Sequence, residues 1–289
     1  MHRRRFIRHT VSRIATLVVA AVAIDPIETA RAAGSAYAAA GTETPASLPT
    51  GVSTGVTREI TGDEYLMEYR WDGSVTPGWT LRFGVGRRAY RSAARRTLGY
   101  DTAFDAARRN PFARELAAEL DTATPTAPPS ETMSLDVRRF DRAVEFVRSL
   151  PYRSDYESQS LPDYHRTVEE TLVDGCGDCK DHTYLLAGLL SYPPFEYRTA
   201  MVFVPDHMLL GVAKSDLPEA YADAPTLANT NYVAVESVTG EPIGEYDDGP
   251  VLAVYDDGFA YLDRSAVADT AVDFLRDPAE FEVVAGASG

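Results

Sequence analysis

The sequence predicts an α+β fold, and three patterns support this prediction. Apolar residues recur at helical spacing across residues 137–150, and Pro151 ends the run. Strand-like apolar runs follow at 198–204, 208–213 and 232–236. Two further apolar runs flank Asp256-Asp257-Gly258, which is a strong hairpin signal. A chain of 289 residues, 45% of them hydrophobic, can bury a sizeable core without disulfides or metals.

The N-terminus is predicted to be an export signal that occupies residues 1–33. The run Arg3-Arg4-Arg5-Phe6-Ile7-Arg8 resembles a twin-arginine signal, and an apolar run at 14–24 follows it. This apolar run is about half of the ~20 residues that span a bilayer, so we expect no membrane-spanning helix. Residues 30–32 then offer a small-x-small cleavage site. The sequence therefore predicts an exported, extracellular protein, with attachment at the cell surface as an alternative.

Composition divides the rest of the chain into three parts. Residues 34–57 are rich in Gly, Ala, Ser, Thr and Pro and have no apolar period, which predicts a flexible tether. Residues 58–130 are predicted to form a small α+β region of unknown role, which ends in a Pro/Thr/Ala hinge at 122–130. Residues 131–289 are predicted to form a second domain, which carries the chemical motifs described below.

Further elements are predicted in both of these regions. Strands are expected at 64–71 and 79–83, and helices at 87–96, 103–120, 183–190 and 265–276. Pro111 is expected to kink or restart the second of these helices.

The chain carries a net charge of −15, although residues 1–31 hold six Arg against Asp25 and Glu28. Lys180 and Lys214 are the only lysines, so almost all positive charge is Arg. An acidic surface with few lysines is typical of a protein that works in strong salt, where self-repulsion is screened. The alternative is an acidic surface for a basic partner. In either case the chain repels nucleic-acid phosphates, and no basic stripe indicates a nucleic-acid site.

The motif Gly175-Cys176-Gly177-Asp178-Cys179 contains both cysteines and precedes an apolar helix. Cys179 is expected at the N-terminus of that helix, where backbone N–H groups and the helix dipole favour a thiolate. The same N–H groups are placed to hold an oxyanion that forms on an attacked carbonyl. The polar, Gly-rich loop argues against a buried, inert cysteine. Cys179 is therefore the candidate nucleophile.

A thiol nucleophile requires a base and an acid that orients this base, and the sequence offers a candidate for each. His207 begins the strand-like run after Pro205-Asp206, so it is expected at a sheet edge beside the helix end. Glu236 ends the run at 232–236, where a carboxylate is costly unless it has a partner. Cross-strand pairing of Glu236 with His207 would supply this partner. The alternatives are a structural His and a Glu that faces solvent.

The segment 169–190 contains Glu-Thr-Leu-Val-Asp-Gly-Cys-Gly-Asp-Cys-Lys-Asp and resembles the nucleophile segment of the transglutaminase-like superfamily, above all its archaeal and bacterial members. Pro-Asp-His207 resembles the His motif of that family. Tyr-Val-Ala-Val-Glu236 resembles its acid motif, with Glu where many members have Asp. The likeness covers residues 136–246 and keeps the order Cys, His, acid. The sequence departs from the family pattern at two positions. Lys180 stands where members of that family commonly have an acidic residue, and Cys176 stands where they usually have a small residue.

The resemblance implies a papain-like transglutaminase core, in which a helix that carries Cys179 packs on an antiparallel sheet that carries His207 and Glu236. It implies that Cys179 is the nucleophile, that His207 is the general base and acid, and that Glu236 orients His207. It also places Asp178 and Asp181 beside the nucleophile, as residues that support it.

The implied reaction is attack of the thiolate on a protein or peptide amide, through a thioester and without a cofactor. Release by water makes the protein a cysteine peptidase or amidase, whereas release by an amine makes it a crosslinking transglutaminase. We favour hydrolysis because no feature of the sequence specifies an amine acceptor. The oligomeric state stays open.

Three other interpretations start from the same residues. Cys176 and Cys179 could form a redox pair, but no thioredoxin-like βαβ pattern surrounds them. Cys176, Cys179, His182 and His207 could bind zinc, but His207 lacks a second closely spaced ligand. The domain could also be a binding module without activity on the same fold. The complete order of Cys, His and acid favours a catalytic triad over all three.

Overall fold

The computed structural model describes residues 44–48, 55–73, 78–123, 133–159, 163–205, 207–246 and 249–267. The predicted export signal, most of the predicted tether, most of the hinge at 122–130 and most of the closing helix at 265–276 lie outside these residues. Of that closing helix, the described residues up to Val267 are helical, from residue 264 onward.

Helices and antiparallel sheets both contribute to the described fold, which confirms the α+β prediction. The helices are α1 (Arg87–Ala93), α2 (Tyr100–Arg108), α3 (Pro111–Thr122), α4 (Leu135–Ser149), α5 (Asp155–Gln159), α6 (Val168–Asp174) and α7 (Cys179–Leu190). The strands are β1 (Val56–Thr61), β2 (Glu64–Trp71), β3 (Trp79–Gly86), β4 (Thr199–Val204), β5 (His207–Ala213), β6 (Tyr232–Val235), β7 (Ala253–Tyr255) and β8 (Phe259–Leu262). One 3₁₀ turn lies at Glu219–Tyr221. Among the described residues, none of the helices has both the length and the apolar character that crossing a bilayer requires.

The first sheet has the order β1-β2-β3. In β2 and β3 every second residue is buried, so the two strands predicted from their alternation are confirmed. Strand β1 was not predicted, because only Val56 of its six residues is buried and the sequence shows no apolar alternation. It pairs antiparallel with β2, with Val56 opposite Tyr69.

Within the predicted tether, the described residues 44–48 pack against the folded chain. The backbone N–H of Ala46 donates to Asp174 Oδ1 at 3.1 Å, and Arg58 Nη2 donates to the Ala46 carbonyl at 3.0 Å. Arg153 Nη1 donates to the carbonyl of Ser47 at 2.9 Å. These contacts join the segment to both the N-terminal sheet and the neighbourhood of the nucleophile loop.

Pro111 separates α2 from α3, as the sequence predicts. It occupies the first position of α3, where its missing N–H costs no helical hydrogen bond. Asn110 caps this helix, because its Oδ1 accepts a hydrogen bond from the N–H of Phe112 at 2.8 Å. The periodic helix at 137–150 is likewise confirmed as α4, which begins after the cap Ser134.

The second sheet has the order β6-β5-β4-β7-β8, and all of its neighbouring strands are antiparallel. The hairpin predicted at Asp256-Asp257-Gly258 joins β7 to β8. Its two aspartates bind Arg108 of α2, with Nη1 2.9 Å from Asp256 Oδ1 and Nη2 2.6 Å from Asp257 Oδ1. This pair of contacts ties the far end of the sheet to the helical layer.

Helix α7 is the centre of the fold, because all of its residues are buried. Strands β4 and β5 pack on one side of it, and α2, α3, α4 and α6 pack on the others. Gly188 permits the closest approach, since a Cβ there would lie 2.8 Å from the carbonyl oxygen of Ala107 and 3.0 Å from the Cβ of Ala113. A helix enclosed on all sides holds its first residue in a fixed place relative to the sheet.

Arg166 is 1% exposed and contacts three carboxylates. Its Nη1 lies 3.1 Å from Asp155 Oδ1 and 2.6 Å from Asp181 Oδ2, and its Nε lies 3.4 Å from Asp174 Oδ2. These three acids come from α5, α6 and α7, so one guanidinium connects all three helices.

Lys180 is the second buried cation. Its Nζ lies 2.6 Å from Asp155 Oδ2 and 3.4 Å from Asp163 Oδ1, and it also contacts Asp178. We refer to Arg166, Lys180 and Asp155, Asp163, Asp174, Asp178 and Asp181 as the buried ion network. A buried charge is tolerated when it is paired, and it is strongly destabilising when its partner is removed.

Loss of Arg166 is therefore expected to destabilise the fold strongly. Arg166→Leu should lower the free energy of unfolding by about 3–5 kcal/mol, because it leaves the buried carboxylates of Asp174 and Asp181 without the cation that contacts them. The control is Arg198→Ala, which removes an ion pair with Asp216 at 3.0 Å whose arginine side chain is 66% exposed, and should cost less than about 1 kcal/mol. Urea unfolding at one fixed salt concentration measures both, and equal losses would contradict the expectation.

Candidate active site

Cys179 is the first residue of α7, as the sequence predicts. The preceding helix α6 ends at Gly175, whose φ of 63° lies in the left-handed region that glycine adopts without strain. The loop then turns into α7 through a capping box. Asp178 N–H donates to Asp181 Oδ2 at 3.2 Å, and Asp181 N–H donates to Asp178 Oδ1 at 3.3 Å. Asp178 and Asp181 thus hold the turn that presents the thiol.

His207 is the first residue of β5, and Glu236 follows the last residue of β6. His207 Nε2 and Glu236 Oε2 are 2.7 Å apart, and both side chains are buried. The partner that the sequence predicts for Glu236 is therefore present. The second oxygen of this carboxylate, Oε1, accepts a hydrogen bond from the N–H of Val238 at 2.7 Å.

The pairing of His207 and Glu236 is diagonal and not directly cross-strand. The register of β5 and β6 pairs Leu210 with Val235, and its continuation places Glu236 opposite Leu209. Residues two positions apart on one strand share a face, so Glu236 still reaches His207 on the same side of the sheet.

The thiol of Cys179 lies beside the imidazole of His207, close enough that each group shifts the pKa of the other. Because Nε2 of this ring is engaged by Glu236, Nδ1 is the nitrogen that can face the sulfur. The structure thus brings together the three residues that the sequence proposes as a triad, in one chain of contacts from helix to sheet.

Burial controls the protonation of these groups. It raises the pKa of the Cys179 thiol, and the hydrogen bond and charge of His207 oppose this effect. Burial alone would lower the pKa of His207, but the charge of Glu236 and the hydrogen bonds to Cys179 and Glu236 hold it well above its usual value. Burial also works against ionisation of Glu236, but the charge of His207 outweighs it and lowers the pKa of that carboxyl.

The raised pKa of Cys179 differs from the expectation of a thiolate favoured by the helix N-terminus. The reason is that Cys179 has no exposed surface, so water does not stabilise its charged form. The site therefore consists of a neutral thiol beside an imidazolium that is paired with a carboxylate.

Two sets of contacts align the helix with the strands. Thr183 Oγ1 lies 3.4 Å from the carbonyl of Met208 and 3.2 Å from Ser237 Oγ, so α7 is tied to β5 and to the end of β6. Arg148 Nε donates to the carbonyl of Glu236 at 3.0 Å and holds the backbone that carries the acid.

The sequence analysis missed Arg166, Asp155, Asp163 and Asp174, and it noted Lys180 only as a departure from the family pattern. Arg166 holds Asp181 from two sides, because its backbone N–H donates to Oδ1 at 3.0 Å and its Nη1 contacts Oδ2. Burial works against ionisation of Asp181, but Arg166 and Lys180 lower its pKa. A Lys between two Asp at the start of an apolar helix is the one local signal that could have indicated a buried ion pair.

The distances between donor atoms bear on the zinc interpretation of the two cysteines and two histidines. Among the described residues, no three of Cys176, Cys179, His182 and His207 bring donor atoms within 4.8 Å of one another, as a tetrahedral zinc would require. Asp155, Asp178 and Asp181 do approach one another this closely. The positive charge in that group is already supplied by Lys180 and Arg166.

Comparison of the chain with family models, with curated proteins and with solved structures gave no match in any of the three.

The two thiols are expected to differ in reactivity. Burial raises the pKa of Cys176 to about 11, and the charges of Arg166 and Arg153 oppose this effect only in part. The charge of the adjacent His207 opposes the effect of burial on the pKa of Cys179, so iodoacetamide should modify Cys179 faster than Cys176 in the native protein. Peptide mapping by mass spectrometry at several times measures both rates. The urea-unfolded protein, in which the two thiols should react alike, is the control, and faster modification of Cys176 in the native state would refute the assignment.

Proposed function

We propose that this protein is a cysteine peptidase or amidase of the transglutaminase-like type, which cleaves protein or peptide amides through a thioester. The observation that carries the proposal is the contact chain from Cys179 through His207 to Glu236. A thiol at a helix start, a base at a strand start and a buried carboxylate that orients this base are the parts that nucleophilic catalysis requires.

The arrangement of elements supports the same proposal. Helix α7, which begins with Cys179, packs on β4 and β5, and β5 begins with His207. A papain-like core has this relation between a cysteine helix and an antiparallel sheet, and we propose that the domain belongs to that class.

The reaction begins when the Cys179 thiol loses its proton to solvent while His207 stays protonated, and the thiolate sulfur attacks the amide carbonyl. The C–S bond forms while the carbonyl π electrons move to oxygen, and the N–H groups at the start of α7 are placed to stabilise this oxyanion. His207 then protonates the departing nitrogen, the C–N bond breaks, and a thioester remains on Cys179. His207, now neutral, then takes a proton from water while the water oxygen attacks the thioester carbonyl. The C–S bond breaks, the acid leaves, and the thiolate and the imidazolium are restored.

Glu236 serves this cycle in two ways. Its Oε2 fixes the orientation of the ring through Nε2, and its charge stabilises the imidazolium. Its own position is held by Val238 N–H, so rotation of the carboxylate is restricted. Cys179, His207 and Glu236 are all buried, and this strengthens their interactions, because charges separated from water interact more strongly. Their burial also means that a substrate carbonyl reaches Cys179 only after neighbouring groups move aside.

Loss of any triad member should reduce turnover of a peptide amide. Cys179→Ala should abolish it, because no nucleophile remains, and His207→Ala should come close to this. Glu236→Gln should lower kcat by up to about 10⁴-fold, as in other triads that lose the charge of the orienting acid. The double variant Cys179→Ala/His207→Ala should be little worse than Cys179→Ala, because the residues act as a unit.

Matched controls are available in the same chain. Cys176→Ala removes the other buried thiol, and Glu219→Gln makes the same chemical change at an exposed glutamate. Both should keep turnover within a few-fold of the parent. Intact mass of the quenched reaction should show an acyl adduct on Cys179, and products formed with and without an added primary amine separate hydrolysis from crosslinking. Normal turnover of Cys179→Ala would refute the mechanism, and normal turnover of Glu236→Gln would refute the role of the acid.

The pH dependence should be displaced to alkaline values. The reactive form has a thiolate and an imidazolium. The value of kcat/KM should therefore rise as the pH passes through the raised pKa of Cys179, and it should fall once the pH exceeds the raised pKa of His207. Glu236→Gln removes the charge that raises the pKa of His207, so its alkaline limb should move to lower pH. Measurement from about pH 6 to about pH 11 tests this, and an alkaline limb that does not move would contradict it.

A further inference from the structure

Tyr152 lies against the nucleophile loop. It forms a parallel β-bridge with Gly177, two residues before Cys179. Hydrogen bonds fix the backbone on both sides of the bridge, since Arg153 N–H donates to the Gly177 carbonyl at 2.8 Å and Gly177 N–H donates to the Pro151 carbonyl at 3.3 Å. The position of this side chain relative to the start of α7 is therefore set by the backbone.

The hydroxyl of Tyr152 is buried, although part of the side chain is accessible, and it has no hydrogen-bond partner among the described residues. Other buried tyrosines of the chain are satisfied: Tyr69 donates to the Leu172 carbonyl at 2.8 Å, and Tyr90 donates to Asp174 Oδ1 at 3.0 Å. An unsatisfied buried hydroxyl costs stability, so its retention beside a reactive thiol indicates a use in another state of the site.

The surroundings of this hydroxyl point to a proton donor. Burial raises the pKa of Tyr152 well above its usual value, and the nearby Cys179 and Asp178 add to this effect. The group therefore stays an O–H at alkaline pH values at which an ordinary tyrosine begins to ionise, and it can donate a hydrogen bond to a negative oxygen.

We infer that the hydroxyl of Tyr152 and the backbone N–H of Cys179 form the oxyanion hole of the proposed amide-cleaving site, an inference that rests on the proposed function. When sulfur attacks the carbonyl carbon, the electron pair of the π bond moves to oxygen, and Tyr152 donates its hydrogen to that oxygen without transferring the proton. When the carbonyl re-forms, the C–N bond breaks and His207 supplies the proton to nitrogen. Tyr152 ends the cycle unchanged.

A hydroxyl that makes no hydrogen bond in the resting enzyme is suited to stabilising the oxyanion. Catalysis gains only from interactions that are stronger in the transition state than in the resting enzyme. A hydroxyl already bonded to a protein group would have to give up this bond when the oxyanion forms. Tyr152 makes none with the described residues, and the bridge to Gly177 fixes its position, so it is organised before the substrate arrives.

Tyr152→Phe provides a direct test, because it removes one oxygen and keeps the ring. Turnover of a peptide amide should fall about 10²–10³-fold with little change in KM, which is the range seen when one oxyanion donor is lost. The midpoint of urea unfolding should stay the same or rise, because the variant loses an unsatisfied polar group. Alkylation of Cys179 by iodoacetamide should keep its rate, because displacement of iodide forms no oxyanion.

Tyr69→Phe is the matched control. It removes a buried hydroxyl that does have a partner, so it should lower the midpoint of unfolding and leave turnover unchanged. A peptide aldehyde gives a second readout, because it forms a tetrahedral adduct with the thiol. Its inhibition constant should rise for Tyr152→Phe by about the factor lost in turnover, and it should not change for Tyr69→Phe.

The outcomes separate this inference from the proposed function. Parent-like turnover and aldehyde inhibition in Tyr152→Phe, with Cys179→Ala inactive, would overturn the oxyanion role and leave the proposed function standing. Equal losses in turnover and in alkylation would also overturn it, because Tyr152 would then act on ionisation of the thiol. Absence of turnover in the parent protein, or full turnover in Cys179→Ala, would overturn the proposed function and this inference together.

Discussion

The place of the candidate nucleophile depends on the contact between Asp181 and Arg166. Asp181 Oδ2 receives both the guanidinium of Arg166 and the N–H of Asp178, so one carboxylate closes the cap of α7 and joins it to the buried ion network. Without a cation beside it, a carboxylate at this depth would favour its neutral form, in which one oxygen becomes a donor and accepts hydrogen bonds less well. The place of the thiol, the direction of the backbone N–H groups at the start of α7 and the approach to His207 all follow from the geometry of this one turn.

Local patterns of the sequence were sufficient for much of the fold. The helix at 137–150 follows from the period of its apolar residues, and the strands other than β1 follow from their apolar runs. Pro111 marks a helix start by its chemistry alone. The order of Cys179, His207 and Glu236 also suggested their meeting. Such features depend on neighbours within one or two turns of the chain, which the sequence displays directly.

Other features depend on pairs that the sequence does not display. Charged residues are expected at the surface, so the burial of Arg166 and Lys180 among aspartates follows only from the packing of three helices. The diagonal contact of His207 with Glu236 depends on strand register, and the sequence shows two strands without their alignment. The sequence gives no sign that the hydroxyl of Tyr152 is unsatisfied, because a tyrosine that has a partner and one that lacks it look the same.

The sharing of cations in the buried ion network limits how this part of the chain can diverge. Arg166 serves three carboxylates and Lys180 serves three, with Asp155 common to both. A substitution at any one member removes an ion-pair contact from at least one other buried charge. A single substitution is therefore expected to cost more stability than a combined change that also removes the charge it contacts. Descendants of this sequence should therefore change these positions in concert, and co-varying columns in such a lineage would trace the network without any coordinates.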